Sequence, residues 1–488
     1  MFKLIKINKS YGDKNVLVDV SLSLNNEVVA LIGENGVGKT TLLKIMTGEI
    51  SQDDGVIQTH DSIVGFLPQS QILASSVGDG FNKNSKQWQI DKALQEVGLD
   101  KPMDFETANL SGGQKTRLLI AKILASDLKP NILLFDEPTN NLDQDGLDWL
   151  EVYIRSFKGS VVIVSHDRAF INKTCSKVVE LKYGKLTTYS GNYDAYKIQK
   201  DLELRRTQEV YEISAQERNR LEAILKSKSR QMSNIGNERF DKIRHEDKMS
   251  FNGSRNAAEK STGKKIKALS SRINNFVMPE KPIVSKRYAV GIKGDIYEGK
   301  LVLKVEHLSA SYDKNVIFRD ISFEIRGSQR LRINGKNGSG KTTLLKIITG
   351  IKSADYGIVA AGSGVSVGYL SQDIDGIDLE RTAFENLNEV NNDKMAIYEE
   401  ARSLGLSADD LRKKSSELSR GQQAKLGFAK LLLGNHKLLI LDEPTNHLDI
   451  ATMESIEEPL KCYKGAIIVV SHDSYLINKL GVTQEIYL

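Results

Sequence analysis

The sequence predicts an α/β protein made of two copies of one domain, joined by a connector of two antiparallel helices. Three observations predict it. Short motifs recur at offsets between 301 and 308 residues. Within each copy, apolar runs of strand length lead into glycine loops and then into helical patterns. A basic stretch between the copies belongs to neither. The expected division is residues 1–192, a connector over 193–290, and 291–488.

The repeat covers each copy from end to end. Ser10-Tyr11-Gly12-Asp13-Lys14-Asn15-Val16 returns as Ser311-Tyr312-Asp313-Lys314-Asn315-Val316, and Gly33-Glu34-Asn35-Gly36-Val37-Gly38-Lys39-Thr40-Thr41 as Gly335-Lys336-Asn337-Gly338-Ser339-Gly340-Lys341-Thr342-Thr343. Gln69 pairs with Gln372, Asp136-Glu137-Pro138-Thr139-Asn140 with Asp442-Glu443-Pro444-Thr445-Asn446, and Ser165-His166-Asp167 with Ser471-His472-Asp473. Runs such as Ile132-Leu133-Leu134-Phe135 and Val161-Val162-Ile163-Val164 are apolar throughout, as parallel strands covered on both faces are. Strand, glycine loop and helix in succession predict a nucleotide-binding α/β fold.

Each motif asks for a particular chemistry. Gly-x-x-x-x-Gly-Lys-Thr at 33–40 and 335–342 is a P-loop: its backbone N–H groups and the following helix N-terminus favour phosphate. Lys39 and Lys341 then reach the β- and γ-phosphates, and the Thr40 and Thr342 hydroxyls face Mg²⁺. Asp136 and Asp442 end apolar strands, where a carboxylate holds Mg²⁺ through water. Glu137 and Glu443 follow directly and suit the polarising of an attacking water. His166 and His472, each after an apolar strand, are candidates for a γ-phosphate contact. Leu110-Ser111-Gly112-Gly113-Gln114 places a hydroxyl and glycine N–H groups at a helix start, a second anion cradle that suits the phosphate held by the other copy.

Composition narrows the class. The 488 residues are 40% hydrophobic and 27% charged, as in ordinary globular proteins. Cys175 and Cys462 lie far apart without metal-ligand spacing, and both are expected to be buried, reduced thiols of a cytosolic protein. No apolar run of about 18 residues occurs, so no membrane span is expected.

The connector carries the charge. From Lys197 to Arg287 there are 22 lysines and arginines against 12 acids, net +10 on a chain of +5, which leaves the flanks together at −5. Val210, Ile213, Leu221, Ile224 and Leu225 recur near helical spacing, and Ile266, Leu269, Ile273 and Phe276 step by helical intervals before Pro279. A polar tip is expected over about 233–256, and a positive protrusion on an acidic body favours a polyanionic partner. In the tip, Phe240, Met249 and Phe251 either press against such a partner or close a small cluster between the helices. Lys242, Arg244, Lys248 and Arg255 are candidates for phosphate contacts.

Across both copies these motifs resemble the ATP-binding cassette (ABC) ATPases. The resemblance implies ATP with Mg²⁺ as cofactors. Tyr11 and Tyr312 are then the adenine-stacking aromatics, and Gln69 and Gln372 the Q-loop residues near nucleotide and metal. It further implies two ATP molecules sandwiched within one chain. Lys39's site is closed by Ser419, Gly421 and Gln422, and Lys341's by Ser111, Gly113 and Gln114. In the second signature Arg420 stands where the first has Gly112, which sets the two sites apart. From Gln69 to Ser111 is 42 residues and from Gln372 to Ser419 is 47, short for the coupling surface of a membrane exporter. Neither the long internal coiled coil of chromosome-maintenance ATPases nor the zinc-ligand cysteines of DNA-repair members occurs.

Tandem cassettes, with Ser190-Gly191-Asn192-Tyr193-Asp194-Ala195-Tyr196 leading into a charged, coiled-coil-like hairpin, resemble the ABC-F translation factors. Membership implies a cytoplasmic, monomeric ATPase on the 70S ribosome, its linker directed at 23S rRNA and the P-site tRNA, with no DNA or membrane partner. The first cassette has no inserted arm and the tip is long. Both features resemble the antibiotic-resistance branch, for which lincosamides, pleuromutilins and streptogramin A are the expected drugs.

Overall fold

The computed structural model describes residues 2–69, 73–81, 85–126, 128–139, 142, 144–237, 263–279, 299–312, 315–336, 338–371, 376–445 and 448–488. For 80, 231–237 and 315 it describes the backbone alone. They form two compact units, Met1–Tyr196 with Ser285–Leu488, and Lys197–Val284.

The first unit contains both α/β cassettes. In the first, strands Val64–Leu67, Ile132–Asp136, Ser160–Val164, Val28–Ile32 and Lys177–Lys182 lie parallel in that order, and Lys185–Ser190 closes the edge antiparallel. The second repeats the order with Val367–Leu370, Leu438–Asp442, Ala466–Val470, Arg330–Asn334 and Gln484–Tyr487, all parallel. Every residue of Ile132–Asp136 and Ser160–Val164 is buried, and so is every one of Leu438–Asp442 and Ala466–Val470. That double covering is why these runs are apolar without alternation.

Each cassette adds a three-stranded antiparallel sheet, Lys14–Leu24, Phe2–Tyr11 and Asp54–Gln58 in one and Asn315–Arg326, Leu301–Tyr312 and Tyr356–Ala361 in the other. Alternation at the start of the sequence predicts the strand Phe2–Tyr11, whereas the rest of the layer is not legible there, because register shifts within these strands break the period-two pattern. One apolar cluster runs through the helical layers of both cassettes, including Phe170 and Ile171 from one and Leu476 and Ile477 from the other. The cassettes therefore share part of their core. One expectation fails: Cys175 is buried but Cys462 is exposed, beside exposed Lys461 at the end of helix Ile450–Cys462, whose apolar face ends at buried Leu460.

In the second unit, helix Tyr193–Asn237 continues past residue 233, where the tip was expected to begin, and the chain is helical again over 263–274. Leu221 is buried and Ile266, Leu269, Ile273 and Phe276 are half-buried, while Glu217 and Arg272 pair at 3.7 Å. Val210 and Ile213 are 53% and 67% exposed, so the apolar spacing there marks no core. Phe240, Lys242, Arg244, Lys248, Met249, Phe251 and Arg255 lie outside the described residues. Among the described residues no helix is long and apolar enough to cross a membrane.

Candidate nucleotide sites

The strand order brings the carboxyl ends of Val28–Ile32, Ser160–Val164 and Ile132–Asp136 side by side, where open α/β sheets gather their ligands. Three motifs far apart in sequence thereby converge. The glycine loop at residue 33 leads into helix Lys39–Thr47, whose N-cap is Gly38 at φ 112; Gly340 at φ 97 caps helix Lys341–Ile348. A side chain at either glycine is opposed twice, by its left-handed backbone and by collision with Val16 or Ile317 beneath the loop.

Both loop lysines are buried and turned the same way. Lys39 Nζ donates to the carbonyls of Gly33 (2.7 Å) and Glu34 (3.1 Å), and Lys341 Nζ to those of Gly335 (2.7 Å) and Lys336 (3.0 Å). Burial lowers the pKa of both ammonium groups. Glu137 and Asp449 oppose the shift at Lys39, and Glu443 and Asp442 at Lys341.

Asp136 is buried at its strand end and accepts a 2.8 Å hydrogen bond from Thr40 Oγ1. Burial raises its pKa, against that bond. Thr342 stands beside Asp442, yet neither carboxylate oxygen of Asp442 closes a hydrogen bond of ordinary geometry. Hydroxyl, carboxylate and the phosphate cradle together fit a hydrated Mg²⁺, which takes one or two carboxylates plus substrate oxygens.

Glu137 and Glu443 occupy left-handed backbone, φ 52 and 46, unusual for a residue with a side chain. Their N–H groups bond to the carbonyls of Val164 (2.8 Å) and Val470 (2.9 Å), which holds each residue at the mouth of the sheet. Burial raises both carboxyl pKa values, that of Glu443 to about 7. His166 Nε2 lies 3.2 Å from Glu137 Oε1 and 3.1 Å from Asn35 Oδ1, and His472 Nε2 lies 3.4 Å from Glu443 Oε1. Burial first, then the charge of Lys39, brings the pKa of His166 down to about 3, so its imidazole is neutral at physiological pH. Each site thus pairs a carboxyl whose pKa burial raises with a neighbouring imidazole, a geometry that can orient and deprotonate a water.

A cavity of about 1330 Å³ joins these groups across the two cassettes. From the first cassette it is lined by Tyr11, Asn35, Gly36, Gly38, Lys39, Thr40, Thr41, Gln69, Asp136, Glu137 and His166. From the second come Tyr312, Gly338, Gly340, Lys341, Thr342, Thr343, Asp442, Glu443 and His472, with Ser419, Arg420 and Gly421 of its signature. Gly33 and Gly335 do not line it; their carbonyls hold the lysines from behind. Ser111, Gly113, Gln114 and Gln422 do not line it either. Ser111 and Ser419 each cap a helix, accepting from Gln114 N and Gln422 N at 3.3 Å. Gln372 and Asn337 lie outside the described residues.

The cassettes also touch at the loops themselves. Asn35 N donates to Asp449 Oδ2 at 3.3 Å, and Lys336 pairs with Asp145 at 3.0 Å. Sequence reasoning missed Lys14, Val16 and Ile317 on the cavity wall. Lys14 and Val16 sit in the repeated stretch beside Tyr11, so the repeat marked the region without assigning the residues a task.

With this geometry the comparisons agree. A family model described as ABC transporter matches residues 17–140 and again 318–446, and another of that description matches 179–250. ABC transporter F family member 5 of Arabidopsis thaliana is 31% identical, over 98% of this chain and 73% of its own. Ribosome protection protein VmlR of Bacillus subtilis is also 31% identical, over 98% of this chain and 84% of its own. Among solved structures, the complex of archaeal ribosomal stalk protein aP1 with archaeal ribosome recycling factor aABCE1 matches with a TM-score of 0.65. It covers 99% of this chain and 87% of that one, and at 19% identity the match concerns the fold alone. Two matched cassettes, and likeness over nearly the whole chain, make this protein a member of the ABC-F family of tandem-cassette ATPases, an enzyme that hydrolyses ATP.

Proposed function

We propose that this protein associates with the ribosome and protects it from antibiotics at the peptidyl-transferase centre, lincosamides, pleuromutilins and streptogramin A being the expected classes. The observation that carries the reading is a connector of net +10 between two cassettes that share one nucleotide cavity. Ribosomal and transfer RNA present the dense phosphate such a connector would engage. The likeness to a ribosome protection protein supports the same direction.

In this reading the chain divides at residues 1–192, 193–290 and 291–488, acts in the cytoplasm as a monomer, and sends its two-helix linker into the tRNA exit site of the 70S ribosome. There the linker meets 23S rRNA and the P-site tRNA. Tyr11 and Tyr312 stack on adenine, while Lys39 and Lys341 leave their loop carbonyls for the phosphates. Thr40 with Asp136 and Gln69, and Thr342 with Asp442 and Gln372, would hold Mg²⁺, which would offset phosphate charge there. Ser419 and Gly421 close the first site on ATP binding, and Ser111 and Gly113 the second. Glu137 and Glu443 then take the proton of the attacking water, and His166 and His472 steady the γ-phosphate. Opening of the cassettes after hydrolysis releases the ribosome.

The experiment traps the closed form with Glu137→Gln, Glu443→Gln in a tagged chain and sediments the lysate through sucrose with ATP. The ribosome-bound fraction is then imaged with and without a peptidyl-transferase inhibitor. A trapped chain that rides with 70S ribosomes, its linker tip beside the drug site, is the expected result. A tip that stops short of that site replaces protection with a general role in translation. A chain left in the soluble or membrane fraction removes the ribosome from the proposal and leaves the ATPase.

A further inference from the structure

Arg168 directly follows the first switch motif, Ser165-His166-Asp167, and opens helix Arg168–Thr174. It is 2% exposed, yet its partners belong to the other cassette. Its Nη2 lies 2.7 Å from Asp473 Oδ2 and also pairs with Glu457 Oε1. Its guanidinium packs on the Tyr475 ring, 5.0 Å from the centroid. Asp473 is the aspartate of Ser471-His472-Asp473 and caps helix Ser474–Leu480, as Asp167 caps the Arg168 helix. Burial raises the Asp167 carboxyl pKa, and the nearby Asp473 carboxylate adds to the shift. Arg168 therefore sits between two switch loops that otherwise present like charges to each other.

The duplication provides an internal control. It maps Arg168 onto Ser474, Asp473 onto Asp167 and Glu457 onto Glu151. The pairs within each cassette are kept twice, Lys173 with Glu151 at 3.0 Å and Lys479 with Glu457 at 3.2 Å. The arginine that crosses between cassettes is present on one side and a serine on the other. A buried guanidinium held by two carboxylates resists separation from either, because parting would leave an uncompensated charge in the interior. It stands two residues from His166, and Asp473 is next to His472.

We propose that Arg168 is a positioning residue that locks the two switch loops into one arrangement and so makes the two ATP sites act in concert. Neither loop can shift its histidine without moving the arginine or breaking its pairs. Loss of the carboxylate at one site is then felt at the other.

A double-mutant cycle tests this. ATP turnover is measured in the full chain with Arg168, with Arg168→Gln and with Arg168→Lys, each with and without Glu443→Gln. Independent, equal sites would keep about half their turnover when Glu443 is replaced, whereas coupling of the usual size, roughly 5- to 150-fold, leaves far less. With Arg168 present, turnover is expected to fall to under about a tenth, with Arg168→Gln to about half, and Arg168→Lys should restore part of the coupling. The proposal is overturned if Glu443→Gln costs the same factor in the Arg168 and Arg168→Gln chains, which would make the arginine merely structural. It is equally overturned if Glu443→Gln only halves turnover with Arg168 in place. Should Arg168→Gln fail to fold, the Arg168→Lys cycle decides alone, by a coupling factor below that of the Arg168 chain or equal to it.

Discussion

The two cassettes agree where chemistry is done and differ where they meet. Lys39 and Lys341 reach their loop carbonyls at the same 2.7 Å, and Glu137 and Glu443 share a left-handed backbone within a few degrees. The histidine–glutamate distances, 3.2 and 3.4 Å, also match. By contrast, Arg168 faces a switch loop whose own following residue is Ser474, and Arg420 stands in the second signature where Gly112 stands in the first. The repeat keeps the lysine, glutamate and histidine geometry of the two sites, while side chains where the cassettes meet differ. Two sites of like chemistry can therefore be unequal in how they assemble.

Three changes would tell the cassettes apart or show them alike, the strongest being at the glutamates. Replacing both with glutamine is expected to cut ATP turnover by at least about 10²-fold, the low end for loss of a general base. Phosphate release measures this, and nucleotide binding should persist. Either single replacement should cost a similar factor if the pairing is real; strongly different factors would place the working base in one cassette.

Next come the capping glycines. Gly38→Ala and Gly340→Ala each force a Cβ onto left-handed backbone and into Val16 or Ile317. Each should cost about 2–3 kcal/mol in urea unfolding, combining φ strain with a crowded contact. Equal losses sharpen the likeness of the two loops, whereas a neutral alanine at one of them would show that its loop relaxes.

The smallest effect concerns pH. Burial raises the Glu443 carboxyl pKa to about 7 and raises that of Glu137 as well. Raised carboxyls are protonated and inactive as bases below their pKa and ionise above it, so turnover should climb several-fold between about pH 6 and 8. In Glu137→Gln the residual rate should rise through about 7, following Glu443. A flat profile would mean that proton acceptance does not limit either site.

Much of this was legible in the sequence because the relevant physics is local. Gly38 must be glycine where the backbone is left-handed, Ser111 and Gln114 spell a reciprocal helix cap, and fully covered strands such as Ser160–Val164 read as unbroken apolar runs. Arg168 was not legible. In the sequence it is one more basic residue opening a short helix, and its burial depends on what the other cassette brings opposite. Val16 and Ile317 read as ordinary strand residues for the same reason, since only the folded loop shows what lies beneath it. Cys462 reads as a buried thiol until its helix is seen to turn that position outward.

The left-handed glutamates carry a consequence for laboratory evolution. A glycine at either position would shed roughly 1 kcal/mol of backbone strain, and asparagine tolerates that conformation better than glutamate does. A library of this protein screened for thermal tolerance alone should therefore drift toward chains without Glu137 or Glu443, improved as folds and dead as ATPases. Only a screen that also demands turnover would keep the two acids in place.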